Sequence, residues 1–203
     1  MRRQAFALFA AALLISSVAL SPLGSRAVAA PPVAAAAAPA AQSSNIAVNG
    51  FFSVDPANQG GSFRAAIVMD IPNGLHVNGN KPLGKYAIPT TVKIDAPKGL
   101  KITPVTYPQA RVRSFDFGSG TAEKLAVYEG RAIMRFNVSV APDAPIGVAR
   151  VRANVRFQSC SDTVCFPPAT RELVLAIAIV GPNERVNQIN AQYFGSGARG
   201  RRR

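Results

Sequence analysis

Between about residue 44 and residue 180, apolar and polar side chains alternate with a period of two. Ala132, Met134, Phe136, Val138 and Val140 alternate with Ile133, Arg135, Asn137 and Ser139. Val151, Ala153, Val155 and Phe157 alternate with Arg152, Asn154, Arg156 and Gln158. Each run describes a strand with one buried face, because successive side chains of a strand point to opposite sides. Val92 and Ile94 repeat the pattern around Lys93 and Asp95. Leu173–Val180 is apolar at every position, which predicts a central strand packed on both faces. Turn signals separate the runs: Pro72-Asn73-Gly74, Asn78-Gly79-Asn80, Pro97-Lys98-Gly99, Pro142-Asp143 and Pro145-Ile146-Gly147. No segment of ten or more residues carries a 3.6-residue period. Short strands and regular turns over about 135 residues predict an all-β protein, an immunoglobulin-like β-sandwich, although the Trp and the widely spaced cysteines of antibody domains are missing.

Outside this region the pattern changes. Arg2 and Arg3 precede an apolar run, Ala5–Leu20, broken only by Ser16 and Ser17, and Ala27-Val28-Ala29 supplies a small-x-small cleavage pattern. Residues 1–29 therefore read as a signal peptide, with a membrane span as the competing reading. Residues 30–43 form an Ala/Pro-rich linker in which Pro31, Pro32 and Pro39 oppose helix. Residues 44–180 are the domain. Gly181-Pro182 opens a flexible, Arg-rich tail, 181–203. Cleavage would leave an exported protein with no span of its own, and in an oxidising compartment two nearby cysteines are expected as a disulfide.

The formal net charge is +13, from 23 basic and 10 acidic residues. Residues 181–203 hold five Arg and one Glu, and the signal region holds Arg2, Arg3 and Arg26, so the domain itself is only mildly basic. Its basicity is spread out and not gathered with aromatics on one face, which argues against a nucleic-acid surface. One histidine excludes a multi-histidine metal site, and two cysteines exclude a Cys₄ zinc site or an iron–sulfur cluster within one chain. No Gly-rich phosphate loop is present. No cofactor or metal is expected.

What remains is Gln158-Ser159-Cys160-Ser161-Asp162-Thr163-Val164-Cys165-Phe166-Pro167-Pro168. Extended, five residue steps would span about 16 Å, whereas a disulfide needs its Cα atoms within about 7 Å. A bridge therefore requires the chain to reverse through Ser161–Val164. It would close a loop of about six residues, worth about 2 kcal/mol on the chain-entropy model. Asp162 lies between the cysteines and disfavours a thiolate, and Arg156 is the nearest cation along the strand. Such a pair suits exchange with a partner that brings its own activated thiol. The residues alone leave two readings open: a reversibly oxidised pair, or a static bridge in an exported partner-binding sandwich. Whether the chain is an enzyme is open on the same ground.

The run Phe157-Gln158-Ser159-Cys160 … Cys165-Phe166-Pro167-Pro168 closely resembles the signature "YQ-x-C…C-x-P-P" of the N-terminal domains of DsbD, the bacterial thiol:disulfide interchange protein. Asn73-Gly74-Leu75-His76 through Pro82 resembles the family's "G-W-H-x-x-x-x-x-P", with Leu75 replacing Trp. Ile88-Pro89-Thr90 and Tyr107-Pro108 match further landmarks. The resemblance covers about residues 50–180. It implies an immunoglobulin-like periplasmic domain whose Cys160 and Cys165 pass electrons from a thioredoxin-like or membrane thiol–disulfide carrier to other exported disulfide proteins. The sequence does not include the membrane hub and C-terminal thioredoxin-like domain of full-length DsbD, so the expectation is that those parts come from separate proteins or that the domain has a different job.

Three more residues are candidates. His76 follows a turn and reads as a structural hydrogen-bonding group, with a place near the disulfide or in a metal site as the functional alternative. Phe115 and Phe117, at period two, read as strand core. The resemblance implies instead a cap loop here, one of whose aromatics covers the cysteines, with Gly118 and Gly120 allowing movement.

Overall fold

The computed structural model describes residues 45–84 and 86–195. The expected signal peptide and linker, and residues 196–203, lie outside the described residues. In chain order the elements are β1 (Ala47–Phe52), β2 (Val54–Asp55), β3 (Ala57–Asn58), β4 (Ser62–Asp70), β5 (His76–Asn78), β6 (Thr91–Asp95), β7 (Leu100–Ile102), β8 (Arg111–Phe115), β9 (Glu123–Tyr128), β10 (Arg131–Val140), β11 (Gly147–Phe157), β12 (Ser159–Cys160), β13 (Ala169–Val180), β14 (Asn187–Gln188) and the short helix α1 (Ala191–Phe194).

Two four-stranded sheets, in the orders β1-β4-β10-β7 and β3-β13-β11-β6, supply the two sides of one core. The protein is an immunoglobulin-like β-sandwich. The alternating residues of β10 and β11 face inward: Met134, Val138, Val151, Ala153, Val155 and Phe157 are completely enclosed, and Ile67 and Met69 of β4 pack with them. Apolar transfer at about 25 cal/mol per Å² makes this shared layer the main stabilising contribution.

One strand departs from expectation. β13 pairs with β11 along its length but meets β3 only at Ile179 and Val180. Only its Leu175, Ile177 and Ile179 face is buried, and Val174 on the other face is 53% exposed. The outer positions Ala176 and Ala178 are small, so apolar character at every position did not require a second covering layer.

The segment after Val180, read from sequence as tail, is folded as far as Gly195. Asn58 Nδ2 donates to the carbonyls of Pro182 and Glu184, both at 2.9 Å, and β14 pairs with β2. Tyr193 stacks on Phe51 at 4.1 Å, and Phe194 is buried against Ala66 and Val68 on the outer face of β4. Arg64 and Arg135 donate to the carbonyls of Phe194 and Tyr193 at 2.7 and 2.8 Å, satisfying groups that a one-turn helix leaves open.

A third antiparallel sheet, β12-β5-β9-β8, carries both cysteine-bearing and aromatic segments. Only Gln158 separates β12 from β11, so a core strand of the sandwich runs directly into it.

Candidate functional site: a cystine hairpin beside an aromatic loop

The chain reverses at Ser161–Val164, as the spacing requires. Ser161 N–H donates to Val164 C=O at 2.8 Å, and Phe166 N–H donates to Ser159 C=O at 2.9 Å. Ser161 Oγ accepts from the Thr163 and Val164 amides, closing the turn locally. Cys160 and Cys165 face each other between these two ladder bonds and are disulfide-bonded, with S–S 2.03 Å and Cα–Cα 3.9 Å. The Cα separation is below the usual disulfide range because the pair occupies the position of an antiparallel ladder where the strands approach closest, about 4.5 Å.

The bridge sits at the tip of the β11–β13 hairpin. Phe157 pairs with Ala169, and three residue steps lead from there to Cys160 while four lead back from Cys165. The extra residue falls at Pro167-Pro168, where neither residue has an N–H to lose from the ladder. Gln158 braces this junction. Its side chain accepts from Asn78 Nδ2 at 3.1 Å and donates to Phe166 C=O at 3.2 Å, tying the hairpin to β5. The sequence signal for Gln158 is its place in the cysteine run, two residues before Cys160, but no local pattern shows that its side chain braces the hairpin against β5.

The two cysteines are not equivalent. Cys160 lies between Cys165 on one side and His76 of β5 on the other, and is fully buried. Cys165 lies on the free edge and is exposed. It borders an open cavity of about 200 Å³ shared with Phe117, Tyr86, Leu125, Glu123 and Gln158. Asp162 is exposed at the turn.

The structure separates the two phenylalanines. Phe115, at the end of β8, is 5% exposed, packs with Leu125 and Val127, and stacks on the His76 ring at 4.0 Å. Phe117, in the loop joining β8 to β9, is half-buried and is the one of the two phenylalanines that borders the Cys165 cavity, with Tyr86; the Phe115 and Phe117 rings are 6.0 Å apart. Gly118 and Gly120 take positive φ values of 86° and 71°, which side chains with a Cβ rarely adopt. Asp116 Oδ1 accepts from both of their amides, at 3.0 and 3.2 Å, so the glycines shape a closed turn.

His76 is 1% exposed, and among the described residues its Nε2 has no hydrogen-bond partner. Burial disfavours the imidazolium and lowers the His76 pKa; Asp162 and Glu129 oppose this, and Arg113 adds to it. The other landmarks act as staples. Tyr107 Oη accepts from the Val92 amide at 2.8 Å, and Thr90 Oγ1 donates to Asn78 C=O at 2.5 Å.

The model of the family described as "Thiol:disulfide interchange protein DsbD, N-terminal" matches residues 42–177. The chain belongs to this family. No curated protein sequence matches it. Among solved structures, the Neisseria meningitidis DsbD N-terminal domain in its reduced form is similar at 15% identity, TM-score 0.40, over 70% of this chain and 88% of that one. The N-terminal periplasmic domain of ScsB from Proteus mirabilis is similar at 9% identity, TM-score 0.41, over 64% of this chain and 45% of that one. A type I cohesin from Pseudobacteroides cellulosolvens is similar at 13% identity, TM-score 0.35, over 67% of this chain and 96% of that one. As a DsbD N-terminal family member with its two cysteines joined, the chain is a thiol–disulfide exchange domain in general terms. Among the described residues no helix is long and apolar enough to cross a membrane.

Proposed function

We propose that this DsbD N-terminal family domain works in the periplasm as a dithiol/disulfide relay between a thioredoxin-like or membrane-bound carrier and exported disulfide proteins. The observation that carries the reading is the asymmetry of the Cys160–Cys165 pair, one sulfur-bearing residue buried in the sheet and the other exposed at its edge. A partner thiolate reaches Cys165 Sγ from the open side, and Cys160 is the leaving sulfur. Thiolate attack on the accessible sulfur is the general route of exchange. The bridge closes a short loop already held by ladder bonds, so structural need accounts for little of it. Phe117 limits approach to Cys165, Phe115 and His76 support the sheet behind it, and Asp162 keeps the turn acidic.

The test is the reduction potential of the pair, measured by equilibration with a thioredoxin-type dithiol and quantified by thiol alkylation. A value in the range of thioredoxins and periplasmic carriers, about −270 to −120 mV, supports exchange. A value well below about −300 mV means an inert structural bridge and a partner-binding sandwich instead.

A further inference from the structure

His76 and Cys160 are direct cross-strand partners, so their side chains leave the sheet on the same face, where opposed Cβ atoms lie about 5 Å apart. Both are almost completely buried, at 1% and 0% exposure. Phe115 covers one face of the imidazole at 4.0 Å, and in the disulfide form Nε2 lacks a hydrogen-bond partner. An orphaned buried nitrogen beside a buried half-cystine is a cost that the disulfide form carries.

We infer that His76 is the hydrogen-bond acceptor of the Cys160 thiol in the reduced protein, and that it thereby positions this sulfur and favours the reduced pair. The inference rests on the exchange reading above for its chemistry. A partner thiolate forms a sulfur–sulfur bond to Cys165 Sγ as the Cys160–Cys165 bond breaks, and the electron pair of that bond stays on Cys160 Sγ. The partner's second thiol gives up its proton and attacks the mixed disulfide, releasing Cys165 as thiolate. Cys160 and Cys165 each take up one proton, so two electrons and two protons pass from the partner dithiol to the pair. Cys165 meets solvent and is hydrated there. Cys160 does not, and a thiolate enclosed at that site would be unsolvated. Protonated, its S–H can donate to Nε2 of His76, the unpaired acceptor carried by its direct cross-strand partner. This requires a neutral ring, which burial favours, with its proton on Nδ1. His76 is a positioning residue in this scheme and transfers no electrons itself.

The experiment compares native protein with His76→Phe, which keeps a ring for Phe115 to stack on but has no acceptor. Each is equilibrated with the same thioredoxin-type dithiol, and each is melted in its oxidised and reduced forms. The expected result is about a tenfold shift of the equilibrium constant toward the disulfide in His76→Phe, equivalent to a potential about 30 mV more negative. The reduced form should lose stability relative to the oxidised one. His76→Gln, which keeps an amide acceptor, should lie closer to native. If Phe does not fit the site, His76→Leu makes the same comparison. Equal equilibrium constants in native and acceptor-less variants, with melting temperatures lowered equally in both redox forms, would make His76 a packing residue and overturn the inference. A native potential well below about −300 mV would sink the exchange reading alone, because the difference between native and variant is measured at any potential.

Discussion

Phe115 and Phe117 are two residues apart, and the physical difference between them lies in their neighbours. Phe115 fills space between His76, Leu125 and Val127, whereas Phe117 stands half-buried over the cavity that Cys165 borders. Phe115→Ala should therefore cost about 3–5 kcal/mol, the usual price of deleting an enclosed aromatic. Phe117→Ala should cost about 1 kcal/mol or less and accelerate reduction of the disulfide by a small thiol severalfold. Thermal melting and the rate of reduction by dithiothreitol separate the two outcomes. An unchanged rate in Phe117→Ala together with a large loss of stability would assign that ring to the core as well. The period-two spacing was legible as a strand for Phe115. It could not say that the strand ends there and that Phe117 already belongs to the loop, because the ladder stops where Glu123 runs out opposite Phe115.

At the level of the element, the cystine hairpin is a continuation of the long β11–β13 ladder, offset by one residue at Pro167-Pro168. Ser159, Phe166, Ser161 and Val164 already hold its strands through backbone bonds, and Gln158 fastens its base to β5. Removing the covalent link should loosen the tip and leave the sandwich standing. Cys160→Ala is expected to fold with a native-like circular dichroism spectrum, to lose about 2 kcal/mol, and to be inactive in exchange. Failure of the purified variant to fold would return the disulfide to a structural role. The reversal itself was legible from the five-residue spacing and the turn-forming Ser161-Asp162-Thr163. The burial of Cys160 was not, since it depends on β5, more than eighty residues earlier in the chain, lying against it.

For the whole molecule, the stretch 181–195 is a strap that is tied first to Asn58 and β2 and ends on the outer face of the β1-β4-β10 sheet, held there by aromatic contacts and by two arginines that grip its last carbonyls. It shares no residue with the cystine hairpin or the aromatic loop. A chain ending at Gly195 should melt like the full protein, whereas one ending at Val180 should lose about 3 kcal/mol, in keeping with burial of Phe194 and its neighbours. Reduction of the disulfide should be the same in both. Equal melting temperatures would mean that the strap contributes nothing to the fold. Sequence reading placed the boundary at Gly181-Pro182 because a strap of two short elements has no period to detect; its informative feature was the pair Tyr193-Phe194 amid polar residues.

The strands β6, β10, β11 and β13, the inward faces of β6, β10 and β11, and the cysteine turn were legible in the sequence alone, because alternation and reversal are local properties of backbone geometry and of residues within a few positions. The cysteine run also carried the family. Tertiary structure decided which cysteine is enclosed, which phenylalanine stands by the exposed one, that the histidine Nε2 lacks a hydrogen-bond partner, and that β13 is covered on one side only. Each of these depends on which distant strand comes to lie alongside. Packing chose that neighbour across the whole chain, and no local pattern encodes it.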